Sequence, residues 1–518
     1  MKSIFPPIIA AIVLSITFIG LGSVKLFDVD EAVFAEATRE MVQSGNLITP
    51  TYNGENRYDK PILFYWLMAA SYELFGINEF AARFPSALGG ILLCLAMYLM
   101  VLKLFDKKDG LYAVVVMALS PFFFIYSHAA VTDMVLTLFI TLSLFSFYLS
   151  LNQGRRYIYG LYLFSALAFL TKGLIGVVFP FGIAAAYVLF SRKPGGIKNI
   201  LSPVGIFIFL LVSAPWYSAQ IAVNGREFIR EFFIKHHFMR YTGVISGHRG
   251  PLYYYLPVLI AGLFPWISFM PGGIRNVFAG KESLPGNGKG GRRDFLLFCF
   301  IWFVFVLAFF SFSVTKLPNY ILPALPAASI LVLSGMDTWE RFANISMGTV
   351  SLLLSGTFLI LGPRLAGLGI NDPVLTYGFA LIALSLAIAG FYSLLSRKRL
   401  YGVMALLTAL FLSVMSFKAL PYAGDYLQGT LYRYSIYAKD NLPDKAGIIT
   451  YGINNPSIVF YSGRNIVEAG SRKDLLPYIG KGGEWLAISK TRDAGDLTAM
   501  GFDLLKKDGR YALLEKKG

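Results

Sequence analysis

Between Asp28 and Pro61 the chain reads DVDEAVFAEATREMVQSGNLITPTYNGENRYDKP, a polar stretch that follows the first long apolar run. It carries Asp28, Asp30, Glu31, Glu36, Arg39, Asp59 and Lys60. Carboxylates of this kind can accept a proton from an attacking group or orient it. A lysine beside a helix start suits a phosphate, because unpaired backbone N–H groups and the positive end of the dipole face the anion. Two helix starts are predicted here. Asp28 or Asp30 can cap a helix with Glu31 in its first turn and Gly45 at its end. Pro61 suits the first turn of a second helix through FYWLMAASYELF to Gly76, which leaves Asp59 and Lys60 at its N-terminus. Carboxylates and a phosphate corner next to an apolar run point to chemistry on a lipid phosphate.

Further candidates lie along the chain. They are Asp133 in SHAAVTDMVLTLF, Lys172 in FLTKGLIG, and Lys316 and Tyr320 in FSVTKLPNYILPALP. The run REFFIKHHFMRYTGVISGHRGPLYYYLP adds Lys235, His236, His237, Arg240, His248 and Arg249. Each has a plainer role open to it. Thr132 or Asp133 can cap a helix, and lysines at span ends snorkel toward headgroups. Tyr320 suits the interface beside a proline-kinked span, and the histidine run reads as a basic interfacial helix. Adjacent histidines point apart on a helix, a weak metal signal. The placement of all these groups on one predicted side favours a site, with Asp133 as a second carboxylate facing Asp30 and Lys172 in a glycine-flanked turn open to an anion.

The elements that must position them are membrane spans. Of 518 residues, 56% are hydrophobic and 15% charged, and mean hydropathy is +0.60. That excludes a soluble globular protein. Apolar runs predict about thirteen spans between residues 4 and 418. The runs 157–172 and 173–191 are separated only by Thr171-Lys172-Gly173. The N-terminal run has no A-x-A-type cleavage site after it and reads as a retained first span. Cys94 and Cys299 lie inside apolar runs, which argues against a disulfide or thiolate site.

The net charge of +16 has a topological reading. KLFDKKD (103–109), GRR (154–156), SRKPGGIK (191–198), the stretch from Arg275 to Arg293 and SRKR (396–399) all fall in alternate loops. Basic loops mark the cytoplasmic side. The N-terminus is then cytoplasmic, the C-terminus periplasmic, and nucleic acid is not a partner. The long loops 25–81 and 221–251 and the tail from about 419 lie on the outer side. In the tail, β-like GIITYG, NIVEA, EWLAIS and RYALLEK alternate with helical segments, which predicts a small α/β domain over 419–518.

The first outer loop, DVDEAVFAEATREMVQSGNLITPTYNGENRYDKPILFYW, resembles that of the bacterial lipid A aminoarabinose transferases. These belong to the polyprenyl-phosphate-sugar glycosyltransferases that include the protein O-mannosyltransferases. The likeness continues in order through Asp133, LTKGLIG, HHFMRYTG…GHRGPLYYYLP and KLPNYILPALP, over most of residues 1–335. The resemblance implies a GT-C fold, an α-helical polytopic membrane protein with juxtamembrane helices in loop 25–81, a catalytic domain over 1–418 and an outer C-terminal domain. It implies Asp30 as the catalytic carboxylate, with Glu31 beside it and Asp133 in support. Lys60, Lys172, Arg240 and Tyr320 would hold the donor phosphate, joined by Lys316 from the same segment as Tyr320. Asp59 stands where these enzymes usually carry glutamate. With His236 or His237 it would be the place for a divalent metal such as zinc or magnesium. The family commonly reads D-E-x-R-Y-A-E; here DEAVFAE puts Val33 and Phe34 in place of a basic and a hydroxylated residue. The sugar therefore stays open.

The expected activity is transfer from undecaprenyl-phosphate-sugar to lipid A, another glycolipid or a protein at the periplasmic face of the inner membrane, among membrane lipids. One base carboxylate fits a single displacement with inversion. A lipid-linked-sugar flippase is the rival, but it would not require carboxylates at two outer helix starts, and neither inverted repeats nor broken mid-membrane helices are legible.

Overall fold

The computed structural model describes residues 5–192, 200–232, 250–279, 291–336, 340–367, 373–395, 401–479 and 483–517. Two compact units can be distinguished. One comprises Met1–Ile19, Tyr58–Phe64 and Pro85–Ala419; the other comprises Gly20–Arg57, Tyr65–Phe84 and Leu420–Gly518.

The first unit is helical. Among the described residues, eight helices of the chain are long and apolar enough to cross a membrane, or ten if each of two bent pairs counts as one span. Ile8–Phe18 and Ile175–Phe190 are apolar but shorter. The chain is a multi-pass membrane protein. Two of the runs expected as single spans are broken. Lys107–Ala118 and Pro121–Ser127 meet at 67°, and Leu252–Gly262 and Trp266–Phe278 meet at 109°. Each break holds a proline, Pro121 or Pro265, which lacks an N–H and disfavours helix in the residue before it. Ser120, before Pro121, is extended accordingly.

Helices α1 (Phe5–Phe18), α2 (Asp30–Ser44), α3 (Leu63–Phe75) and α4 (Glu79–Leu104) open the chain, followed by α5 (Lys107–Ala118), α6 (Pro121–Ser127), α7 (Asp133–Asn152), α8 (Ile158–Lys172) and α9 (Ile175–Phe190). Helix α7 and the helical stretch Pro318–Gly335 are the most enclosed of the span-length helices, 72% and 83% buried along their apolar windows, against 22% for Thr376–Leu395. Small residues let α7 and α8 approach closely. Ser143 Oγ bonds the Leu161 carbonyl at 2.8 Å and Ser165 Oγ at 2.9 Å. Such contacts associate helices where the apolar surroundings give no hydrophobic drive.

The second unit joins the first loop to the tail. The tail forms a five-stranded mixed sheet in the order β4-β3-β5-β7-β6, from β3 (Gly447–Tyr451), β4 (Ile466–Ala469), β5 (Trp485–Lys490), β6 (Asp503–Asp508) and β7 (Tyr511–Lys516). β3 is parallel to β4 and β5, while β7 runs antiparallel to β5 and β6. Alternation sends Ile448, Leu486, Ile488 and Leu513 to one face, against Leu431, Tyr434, Ile458 and Val459. Ile449, Ala487, Ala512 and Leu514 go to the other, against Leu475, Leu497 and Phe502. The first loop adds a short hairpin, β1 (Thr51–Tyr52) with β2 (Glu55–Asn56). Its turn, Asn53-Gly54, has positive φ at both residues, as a two-residue hairpin turn requires. Asn53 Nδ2 donates to the Ile466 carbonyl at 2.9 Å, and Ile466 N–H donates back to Asn53 Oδ1 at 2.8 Å. The side chain thereby satisfies the open edge of β4.

Helix α2 ends at Gly45, in the left-handed conformation as expected, and buries residues 31–38 on all sides. That burial encloses Glu36. One carboxylate oxygen accepts from Arg39 Nη2 at 2.5 Å, and the other has no partner among the described residues. Burial outweighs the charge of Arg39, and nearby Glu40 adds repulsion, so the Glu36 carboxyl is pushed up to about 7. A carboxyl that stays protonated in the fold but ionises near 4.5 when unfolded makes stability fall as pH rises through that window. The thermal midpoint of the purified chain should therefore drop between about pH 4.5 and 7, by up to about 3 kcal/mol of stability. Glu36→Gln should flatten the drop; an equally steep curve in the variant would place the titration elsewhere.

Candidate active site

Three segments of the first unit meet at Asp133. The residue opens α7 and is 3% exposed. Lys172 Nζ donates to its Oδ1 at 2.6 Å, and Asn319 Nδ2 donates to its Oδ2 at 3.1 Å. Thr132 makes no side-chain cap bond to α7, so this cluster, rather than helix capping, accounts for the Asp133 carboxylate. Lys172 is the last residue of α8, where the helix dipole favours a cation. Gly173, at φ +73°, turns the chain out of the helix. A Cβ on Gly176 would stand 2.3 Å from the Ala168 carbonyl carbon, so only glycine permits α9 to fold back there. The sequence TKGLIG thus fixes Lys172 at a tight helical corner. Its ammonium also lies 5.5 Å from the centre of the Tyr320 ring. An ammonium has three N–H donors, and Asp133 engages one. Such a group, held by a carboxylate and backed by an aromatic face, can offer charge to an anion.

Lys316 does not join this cluster. Its Nζ donates to the carbonyls of Phe310, Ser311 and Ser313 at 3.2, 2.6 and 2.8 Å. Those bonds use all three donors, and the side chain caps the end of helix Arg292–Phe312. In segment 58–64, the buried Tyr58 ring packs edge-on to Phe228 at 5.8 Å and anchors the half-buried Asp59 and Lys60. Lys60 Nζ lies 3.2 Å from the Asp59 carbonyl oxygen. Helix α3 starts at Leu63, so Lys60 precedes its first turn by three residues, farther from the helix N–H groups than the sequence implied. Arg240, His236, His237 and His248 lie outside the described residues. Among the described residues, no three His, Cys, Asp or Glu side chains gather as a metal site.

In the second unit, Asp30 is the exposed first residue of α2. Neither aspartate caps that helix: the residue at the cap position is Val29, with no side-chain cap bond. The Asp28 carboxylate turns instead to the tail, accepting from Ser457 N–H at 2.8 Å, Ser457 Oγ at 2.7 Å and Asn455 Nδ2 at 2.8 Å. Burial pushes this carboxyl upward, and those hydrogen bonds oppose the push. Glu31 is buried against Arg83. Arg83 Nε donates to Glu31 Oε1 at 3.0 Å and Nη2 to Oε2 at 2.9 Å. Arg83 Nη1 also holds the carbonyls of Leu21 and Val24, at 2.9 and 2.7 Å. Glu31 is therefore an anchor for the segment that leads to Asp30.

Sequence reasoning missed Arg83, Asn319, Asn455 and Ser457. Two had a signal. Arg83 is a lone cation in EFAARFPSALGG, and a cation in an apolar helix needs a partner. Asn319 stands between Lys316 and Tyr320 in the segment already singled out.

Residues 59–218 match the family described as dolichyl-phosphate-mannose-protein mannosyltransferase. The undecaprenyl phosphate-alpha-4-amino-4-deoxy-L-arabinose arabinosyl transferase of Pectobacterium carotovorum is 33% identical over 361 residues, which is 67% of this chain and 62% of that protein. The Aeromonas salmonicida enzyme of the same name is 31% identical over 68% of this chain and 64% of its own. The chain thus spans just under two thirds of the length of these relatives. ArnT from Cupriavidus metallidurans, solved bound to undecaprenyl phosphate, superposes with a TM-score of 0.80 at 22% identity, over 99% of this chain and 98% of that one. The fold is the GT-C membrane fold.

Removing one partner of a buried pair strands the other. Arg83→Met should cost about 3–5 kcal/mol in unfolding of the detergent-solubilised chain. Adding Glu31→Gln to it should recover much of that loss; a double variant as unstable as the single would deny the pair its anchoring role.

Proposed function

We propose that this chain, a relative of the aminoarabinose transferases with their GT-C fold, transfers a sugar from undecaprenyl-phosphate-sugar to lipid A or a related acceptor. The observation that carries the reading is the enclosed Asp133–Lys172–Asn319 cluster with Tyr320 beside it. It supplies a fixed cation, Lys172, where LTKGLIG and KLPNYILPALP, two of the segments that carry the family resemblance, come together.

In the reaction, the bond between the sugar's anomeric carbon and the donor phosphate oxygen breaks, and a bond to the acceptor oxygen forms. The leaving phosphate departs as an anion and needs no general acid, unlike glycoside hydrolysis with its two carboxyl groups. The chain must provide positive charge where the leaving group gains negative charge. Lys172, Lys60 and Arg240 take that part, with Tyr320 bonding a phosphate oxygen. Asp133 holds Lys172 charged and oriented. Asp30 takes the acceptor hydroxyl's proton, or orients an acceptor phosphate that has little proton to lose. Glu31 keeps the segment before Asp30 in place, and Lys316 keeps the helix end before Tyr320 in place. Asp59 with His236 or His237 is the proposed place for a divalent ion, and no step is routed through it.

The proposed setting is a bacterial inner membrane, with the N-terminus cytoplasmic, a catalytic domain, 1–418, opening on the periplasmic side, and a periplasmic C-terminal domain, 419–518. Lys507 is an exposed tail residue. A Lys507→Cys variant should react with an impermeant maleimide in intact spheroplasts. Reaction only after lysis would reverse the orientation.

The central test is the purified chain with undecaprenyl phosphate-4-amino-4-deoxy-L-arabinose and lipid A, read by mass spectrometry. Sugar should appear on the acceptor, and Asp30→Asn should abolish transfer while undecaprenyl phosphate still binds. Lipid A left unmodified while a protein or another glycolipid is modified would change the acceptor. An aminoarabinose donor left intact while another undecaprenyl-phosphate-sugar is consumed would change the sugar; every such donor recovered intact with every acceptor would favour a flippase and sink the reading.

A further inference from the structure

The segment that precedes Asp30 is tied down at every residue from Val24 to Asp28. Arg83 holds the carbonyls of Val24 and Lys25, at 2.7 and 3.1 Å. Leu26 N–H donates to the Tyr461 hydroxyl at 2.9 Å, and that hydroxyl donates onward to Glu79 at 3.0 Å. Phe27 N–H donates to Glu31 at 3.0 Å. The Lys25 ammonium sits 4.1 Å from the centre of the Tyr432 ring. Asp28 is held most fully. Besides the three bonds from Asn455 and Ser457, Gln428 is placed to donate to Asp28 Oδ2 at 2.9 Å, with its own oxygen accepting from Asp28 N–H at 3.2 Å. A carboxylate has about four acceptor positions, and here four donors meet it.

This is more than the start of a helix requires. Asp28 does not cap α2, and helix α2 is already secured by burial of residues 31–38. What the four donors fix is the backbone two residues before Asp30, whose own side chain is exposed. All four donors come from three residues, Gln428, Asn455 and Ser457, of the tail beyond residue 419.

We propose that Asp28 is a positioning residue: with Gln428, Asn455 and Ser457 it forms a clamp by which the C-terminal domain sets the direction of the Asp30 carboxylate. The inference rests on the assignment of Asp30 to the acceptor. A carboxylate that must meet one oxygen at hydrogen-bond distance tolerates little displacement, and an error of about 1 Å can cost about a hundredfold in rate.

The test uses the full-length chain in detergent with the donor and lipid A named above. Asp28→Asn preserves the shape but turns an N–H₂ group or a single oxygen toward donors. It should lower kcat by about tenfold or more, with KM for the donor and binding of undecaprenyl phosphate within twofold of wild type. Ser457→Ala should act in the same direction, and adding it to Asp28→Asn should cost little further, because both break one clamp. Hydrogen exchange at the amides of residues 25–33 should quicken in both variants. Should Asp28→Asn fold poorly, Ser457→Ala and Asn455→Ala carry the same comparison. An unchanged kcat in the folded variants overturns the proposal, as does a raised KM at unchanged kcat. If Asp30→Asn transfers sugar normally, the assignment of Asp30 fails instead. Exchange then judges the clamp separately, and unchanged exchange at 25–33 in Asp28→Asn overturns it too.

Discussion

A charge withdrawn from water has to meet an opposite charge or a full set of hydrogen bonds, and this requirement arranges the polar interior of the chain. Arg83 meets Glu31 and three backbone carbonyls. Lys172 meets Asp133. Lys316 meets three carbonyls at the end of a helix. Each pairing joins segments remote in sequence or closes a helix end, so the same contacts that neutralise charge also place backbone. Glu36 is the exception that shows the rule: Arg39 satisfies only one of its oxygens, and the carboxyl answers by holding its proton.

The pairings differ in what they leave available. Arg83 and Lys316 spend their donors on fixed acceptors and serve as fasteners. Lys172 binds its carboxylate through one donor, at the C-terminal end of a helix and against the tyrosine face of a 3-10 segment. Its position is set by a turn that only glycines permit. A cation held in this way is oriented before any anion arrives, so the cost of ordering it is met by folding. The helix and helical stretch that supply Asp133 and Asn319 are also the most enclosed of span length, which keeps the pair away from bulk water.

The polar first loop and the tail form one compact unit, with hydrogen bonds that a tail appended to a membrane domain would not require. Asn53 completes the edge of β4, Arg39 donates to the Phe460 carbonyl at 2.9 Å, and Asp28 is enclosed by Asn455 and Ser457. The tail therefore shapes the loop that carries Asp30.

Hydropathy alone determined that the chain crosses a membrane many times, because about twenty consecutive apolar residues have no other stable use. Short β-like apolar runs between helical segments marked β3, β4, β5 and β7, whose apolar residues pack on both faces of the sheet. That signal could not reveal β6, DLLKKD, whose residues are nearly all exposed and which is a strand only because β7 pairs with it. The residue types at Asp30, Asp133, Lys172 and Tyr320, with the glycines after Lys172, marked a candidate site. Tertiary structure alone decided that Asp133 meets Lys172 and Asn319, 39 and 186 residues away, rather than capping α7. It also decided that Lys316 faces carbonyls, that Glu31 faces Arg83 and that Asp28 turns to the tail. A sequence states which groups must be satisfied; which partner satisfies them depends on side-chain direction and on the approach of distant segments, and neither exists until the chain has folded.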